Sequence, residues 1–177
     1  AQHLKAGRAV MLCPTISPED VEVCAHQLTA LGVHTLDAPM SGGPARARDG
    51  SMSLMLACAD AVFEQHQALL ATLSDKVFRI SQKPGDGTKT KLVNNLLAGI
   101  NLAGAAEVLA LSERMGLNLT TTLDVIERSS GQSWIGNDRM RRAVSGDFEP
   151  RSHTTLLAKD TKLAVSAAQQ IGYKTPL

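Results

Sequence analysis

Lys91, Asn94 and Asn95 are the residues of this chain whose types and spacing best suit chemistry. They follow the turn Gly85-Asp86-Gly87 and stand at i, i+3 and i+4. A helix places such residues on one face. An ammonium and two carboxamides near a helix start can hold a carboxylate or a hydroxyl; the other reading is a solvated polar helix face. The segment is not a P-loop, because the GxxxxGK[ST] spacing is missing. A second group is Asp37-Ala38-Pro39-Met40-Ser41-Gly42-Gly43-Pro44. Ser41 followed by Gly42 and Gly43 beyond a strand exposes backbone N–H groups that bind anions, or forms an ordinary turn. Thr15 lies in Pro14-Thr15-Ile16-Ser17-Pro18, which reads most simply as helix capping. Lys159-Asp160, in the last helix, reads on its own as a surface pair.

The elements that must position these groups change character near residue 84. Before it, strands Ala9–Cys13, Val33–Leu36, Ser53–Cys58 and Lys76–Ile80 alternate with helices. One helix starts at Ser17 as cap, with Pro18 first and Glu19 and Asp20 in its first turn, and runs to about Leu31 before Gly32. The other is expected over Ala61–Leu73, capped by Asp60, and Ser41–Pro44 is expected as a loop. After the turn cluster Lys83–Gly87 comes a long helix over Thr88–Met115. Its Gly99, Ala103, Ala106 and Ala110 form a small-residue stripe against which another helix can pack closely. Further helices are expected over Thr121–Arg128, Ser133–Val144 and Thr154–Ile171. The fold class is therefore α/β followed by all-α.

Composition narrows the function. Lys+Arg is 18 against 17 Asp+Glu, and aromatic residues make up 3% of the 177 residues. There is no basic excess or stacking platform for nucleic acid. No apolar run is read as approaching the ~18 residues of a membrane span, and no signal peptide opens the chain. Cys13, Cys24 and Cys58 are scattered and form no CxxC pair, and the histidines lack metal spacing. No metal, nucleic-acid or membrane partner is expected, and the localisation reads as cytoplasmic. Arg139, Arg141 and Arg142 read as a solvated helix face, and the sequon at Asn118 as a chance match.

In order along the chain, Cys13–Pro18, Asp37–Gly43, Gly85–Asn95 (G-x-G-x-x-x-K-x-x-N-N) and Lys159–Ala164 (K-D-x-x-L-A) resemble the motifs of the β-hydroxyacid dehydrogenase family. That family includes 3-hydroxyisobutyrate, tartronate semialdehyde and L-threonate enzymes. Pro14 stands where the family usually has Ser, and Met40 where it has Val. The resemblance implies a partial Rossmann-type sheet over residues 1–86, joined by a long helix to a helical domain over 87–177 like the C-terminal domain of 6-phosphogluconate dehydrogenase. The GxGxxG fingerprint and the residue that selects NAD or NADP are expected to precede Ala1, and further residues to follow Leu177.

The resemblance further implies Lys91 as general acid/base, with Asn95 and Asn94 binding substrate and orienting the lysine. It implies Ser41, Gly42 and Gly43 as the carboxylate site, and Thr15 and Lys159 as contacts to an NAD or NADP cofactor. The substrate is expected to be a small hydroxyacid, and the assembly a homodimer or homotetramer. Ser133-Trp134, Asn137–Met140 and Gly146–Phe148 resemble the threonate-type branch more than the 3-hydroxyisobutyrate branch. Ser129, Ser130, Gln132 and Ser133 are candidate partners for a polyhydroxylated acid. A different class of function is a non-catalytic helical oligomerisation module. A third, imine reduction, fits less well, because relatives of that kind commonly replace the lysine that this chain retains at Lys91.

Overall fold

A computed structural model of the chain describes residues 3–149 and 152–176. Strand β1 (Ala9–Leu12), helix α1 (Pro18–Thr29) and strand β2 (His34–Asp37) form a β-α-β unit, with β1 and β2 parallel and Ala9 opposite His34. Ser17 caps α1 as expected, its Oγ accepting from the Asp20 N–H at 3.1 Å.

The segment after β2 differs from the expected loop. Beyond Ala38 and Pro39 the chain continues as β3 (Met40–Ser41) and then α2 (Gly43–Asp49). β2 and β3 run in one antiparallel register along β4 (Ser53–Ala57), with Asp37 opposite Ala57 and Met40 opposite Leu54. Pro39 has no N–H to give, but its carbonyl still accepts from the Met55 N–H at 2.9 Å, so the ladder survives the proline. α2 carries a Pro in its first turn and ends at Gly50, whose φ of 75° suits glycine. β4 leads into α3 (Asp60–Leu73), and β5 (Lys76–Ser81) lies parallel beside β4. Ala59, not Asp60, is the cap position of α3, and no side chain caps it. The Asp60 carboxylate instead accepts from Arg79 at 2.8 Å and Gln82 at 2.5 Å.

Alternation along the strands sorts residues by face. Leu36, Ala38, Leu56 and Cys58 face α3, where they pack with Val62 and Leu70. Asp37 lies on the opposite face, against the start of α4 (Asp86–Arg114).

α4 carries the chain out of the sheet, followed by α5 (Leu119–Glu127), α6 (Trp134–Val144) and α7 (Thr154–Gln170). Asn118 caps α5, accepting from the Thr121 N–H at 2.9 Å, and this helix starts earlier than the sequence implied. The predicted small-residue stripe is not one contact face. Gly99 meets α7, where a Cβ would come within 3.0 Å of the Thr161 hydroxyl, whereas Ala103, Ala106 and Ala110 are exposed. α6 instead meets α4 at Gly136, where a Cβ would lie 3.1 Å from Ala105. The arginines of α6 are not merely solvated. Arg141 bridges to Asp124 and Glu127 of α5, and Arg142 pairs with Asp147. Contrary to the sequence reading, α4 contains an 18-residue window apolar enough to cross a membrane by composition. The helix packs on β4, α6 and α7 and leaves little of that window buried.

Candidate active site

The site begins where α4 meets the sheet. Asp37 is fully buried and receives three hydrogen bonds from the first turn of α4: Gly85 N–H at 2.8 Å, Thr88 N–H at 3.0 Å and Thr88 Oγ at 2.8 Å. Burial drives its carboxyl above the ordinary carboxylate range, and the hydrogen bonds from Thr88 and Gly85 pull back. Gly87 is required by this approach: a Cβ there would sit 2.5 Å from the Met55 carbonyl oxygen. Gly85, at φ 102°, makes the turn into the helix.

One turn further, Lys91 is 8% exposed and Asn95 9%. Asn95 Nδ2 donates to Asp160 Oδ2 of α7 at 2.7 Å, and Asn94 Nδ2 donates to Asn95 Oδ1 at 3.0 Å. Lys91 and Asn95 thus share the buried face, and Asn94, exposed, forms its rim. Burial lowers the Lys91 ammonium below the usual lysine range. Asp160 opposes that fall, and Lys159 adds to it. The result is an amine closer to accepting a proton near neutrality, held in a fixed polar frame.

Lys159 closes the frame from the other side. Its Nζ donates to the Thr15 carbonyl oxygen at 2.6 Å and lies 2.7 Å from Asp160 Oδ1. Two residues separated by most of the chain therefore meet where β1 ends, at the carboxyl edge of a parallel strand pair. Lys159 and Thr15 can line one wall of a dinucleotide site there. Ser41 and Gly42 are half-buried, and Gly43 is exposed at the end of β3. Gly42 and Gly43 both have positive φ, which turns successive N–H groups outward.

The roles of two residues escaped the sequence reading. Asp160 is not a surface group: it is 8% exposed and binds Asn95. The signal was periodic, since Asp160 stands four residues before the buried Ala164 and so lies on the inner face of α7. Asp37 carried the other signal, an acid ending an apolar strand directly ahead of the glycine loop.

A β-α-β unit, a long helix bearing a buried lysine, and a helical half that closes over that lysine define a nucleotide-type α/β fold with an all-α partner. The comparisons agree. Residues 85–177 match the family model for the NAD-binding region of NADP-dependent 3-hydroxyisobutyrate dehydrogenase. Residues 1–81 match that for the NAD-binding domain of 6-phosphogluconate dehydrogenase. The chain is 38% identical over all its 177 residues to L-threonate dehydrogenase of Escherichia coli strain K12, covering 59% of that protein. It is 33% identical to 3-hydroxyisobutyrate dehydrogenase of Pseudomonas aeruginosa, with 97% of this chain and 60% of that protein covered. A crystal structure of 3-hydroxyisobutyrate dehydrogenase from Salmonella typhimurium superposes with a TM-score of 0.90 at 39% identity, covering 98% of this chain and 61% of that one. The chain belongs to the 3-hydroxyisobutyrate dehydrogenase family of β-hydroxyacid dehydrogenases, and it spans about three-fifths of the length of the curated relatives it matches.

Proposed function

We propose that the protein is a cytoplasmic oxidoreductase that moves hydride between NAD or NADP and a small 3-hydroxy carboxylic acid such as L-threonate or 3-hydroxyisobutyrate. The observation that carries this reading is the buried Lys91, its charged form disfavoured, beside Asn95 fixed by Asp160. In this reading residues 1–86 hold part of the dinucleotide and 87–177 close over the substrate.

The nicotinamide ring, when bound, supplies the hydride-accepting or hydride-donating chemistry. Lys91 Nζ takes the proton from the substrate hydroxyl during oxidation and returns it during reduction. Asn95, locked by Asp160, presents its amide to the same hydroxyl, and Asn94 steadies the Asn95 oxygen. The N–H groups of Ser41, Gly42 and Gly43 hold the carboxylate, so that substrate and base meet in one orientation. Thr15 and Lys159 hold the cofactor at the end of β1. Val93, Leu97, Leu111 and Met115 of α4 are more than half exposed along one helix face, which supports assembly as a homodimer or homotetramer.

A nicotinamide absorbance assay of the full-length protein with L-threonate and 3-hydroxyisobutyrate, with each cofactor, tests the reading. Lys91→Met keeps the apolar stem and should lower kcat by roughly 10²–10⁴-fold. Nucleotide affinity should be retained, and the melting temperature should be no lower than wild type, because a buried ammonium is removed. Near wild-type turnover in this variant rules out Lys91 as the proton carrier.

A further inference from the structure

A buried carboxylate beside a buried amine ordinarily pairs with it and holds it as the ammonium. An amine held in that way cannot take a proton from a substrate. Asp160 is 8% exposed and its charge acts on Lys91, which is 8% exposed as well. Yet among the described residues Lys91 makes no ion pair and no hydrogen bond.

Both oxygens of Asp160 are turned elsewhere. Oδ2 accepts from Asn95 Nδ2 at 2.7 Å. Oδ1 is buried and accepts no hydrogen bond among the described residues, but the Lys159 ammonium stands 2.7 Å from it. Lys159 is fixed in turn from across the cleft, its Nζ donating to the Thr15 carbonyl oxygen at 2.6 Å. The other elements packed against α4 direct their charges to other partners. Asp37 of β2 holds Gly85 and Thr88 at the helix start, and Glu22 of α1 reaches Lys89 on the outer face. Arg79 of β5 is held by Asp60, Asp124 and Glu127 of α5 hold Arg141 of α6, and Asp138 of α6 pairs with Arg139. Asp160 and Lys159 are thus the charges that bear on Lys91.

Given the dehydrogenase reading, on which this inference rests, we propose that Lys159 is the counter-ion that keeps the Asp160 carboxylate off Lys91. It is then a positioning residue for the proton-carrying amine, in addition to its place beside the nucleotide site. Asp160 is needed to fix Asn95, but its charge alone would hold Lys91 as the ammonium. Lys159 permits the first and prevents the second. Its own positive charge also disfavours a proton on Lys91, so both influences leave the amine free to act as a base.

Two measurements on the full-length protein test this, for wild type, Lys159→Met and Lys159→Met/Asp160→Asn. The first is the NMR shift of Lys91 against pH in nucleotide-free protein made with isotope-labelled lysine, the signal being identified by its loss in Lys91→Met. The second is kcat/KM for L-threonate against pH at saturating nucleotide, so that a weakened cofactor contact does not enter. In Lys159→Met the Lys91 titration and the rising limb of oxidation should both move to higher pH. The rate near neutrality should fall roughly 10-fold or more and recover as pH rises, because the base is protonated rather than lost. Removing the Asp160 charge as well should bring both midpoints back toward wild type. A Lys91 titration that stays in place or falls in Lys159→Met overturns the counter-ion role, as does a rise that Asp160→Asn does not reverse. A Lys159→Met variant that raises nucleotide KM with both midpoints unmoved leaves Lys159 a cofactor contact only, which also overturns it. If the Lys91 titration moves as expected but the protein oxidises no hydroxyacid, the counter-ion role stands and the dehydrogenase reading fails.

Discussion

Lys89 and Lys91 lie two residues apart on α4 and live in opposite environments. Lys89 is 46% exposed and reaches Glu22 at 3.3 Å and Asp86 at 3.1 Å. Burial is the largest single influence and pulls its ammonium down, but the hydrogen bonds and charges of Asp86 and Glu22 together outweigh it, and its pKa is raised. Lys91 is 8% exposed, and its pKa is lowered chiefly by burial. At 3.6 residues per turn, two residues face nearly opposite directions. Helix phase therefore decides which of two chemically identical groups is desolvated, and in our reading serves as the base, and which remains a solvated cation. What sets that phase is the seating of the first turn on Asp37, and what tunes the inner face is Asp160.

Asp160 gives the largest effect that sharpens the contrast. It does not itself carry the proton in our reading; it positions Asn95 and opposes the fall of the Lys91 pKa. Asp160→Ala removes the acceptor for Asn95 Nδ2 and should lower kcat/KM roughly 10- to 100-fold, the cost of a misplaced orienting group. Asp160→Asn separates the two roles, since an amide oxygen can still accept from Asn95. Loss of the negative charge removes the influence that raises the Lys91 pKa, so the amine becomes neutral at lower pH. The rising limb of hydroxyacid oxidation against pH should then move to lower pH, with a smaller rate loss than in Asp160→Ala. A limb that stays in place in Asp160→Asn would show that Asp160 acts on geometry alone.

Asp37 tests the common foundation of both lysine faces. Asp37→Ala leaves two N–H groups and the Thr88 hydroxyl facing an empty buried site. The loss should be on the order of 1–3 kcal/mol for each donor left without an acceptor, read as a lower urea midpoint. The pH dependence has a definite sign. Burial raises the folded-state pKa of Asp37 above its ordinary, unfolded value. The stabilisation from its neutral form is thus complete below that unfolded value and is lost as pH rises through the folded one. Asp37→Asn should abolish that part of the acid-range dependence. A urea midpoint unmoved in Asp37→Ala would mean that the helix start is seated by Gly87 and the sheet alone.

The two halves of the chain were unequally legible. In the helical half, period and capping residues located α4, α6 and α7 closely, because each helix carries its own boundary signals at Gly85, Ser133 and Gly172. In the sheet half, β3 and α2 were hidden. A two-residue strand has no period to detect, and Pro39 and Pro44 read as breakers although one keeps its carbonyl in the ladder and the other opens a helix. The site showed the same division. Lys91 and Asn95 were readable from local spacing on one helix. Asp160, which holds Asn95, and Asp37, which holds Thr88 at the start of the same helix, depend on contacts across 65 and 51 residues of sequence, which no local pattern records. The Lys159 contact with Thr15 is of that second kind.

The smallest effect is the one most able to break the comparison. Lys89→Met removes an exposed ion pair with Asp86 and Glu22 and touches nothing on the inner face. Exposed pairs of this kind contribute little once solvent screening is counted, so stability should change by about 0.5 kcal/mol or less. Because the Lys89 pKa is raised in the fold, that small contribution is present below the unfolded lysine value and is lost as pH rises through the folded one. Near neutrality its loss is a constant offset, and steady-state turnover should equal wild type with an unshifted pH profile. A Lys89 variant that lost turnover as Lys91→Met is expected to would mean that the outer face of α4 also meets the substrate, and the division of labour by helix phase would fail.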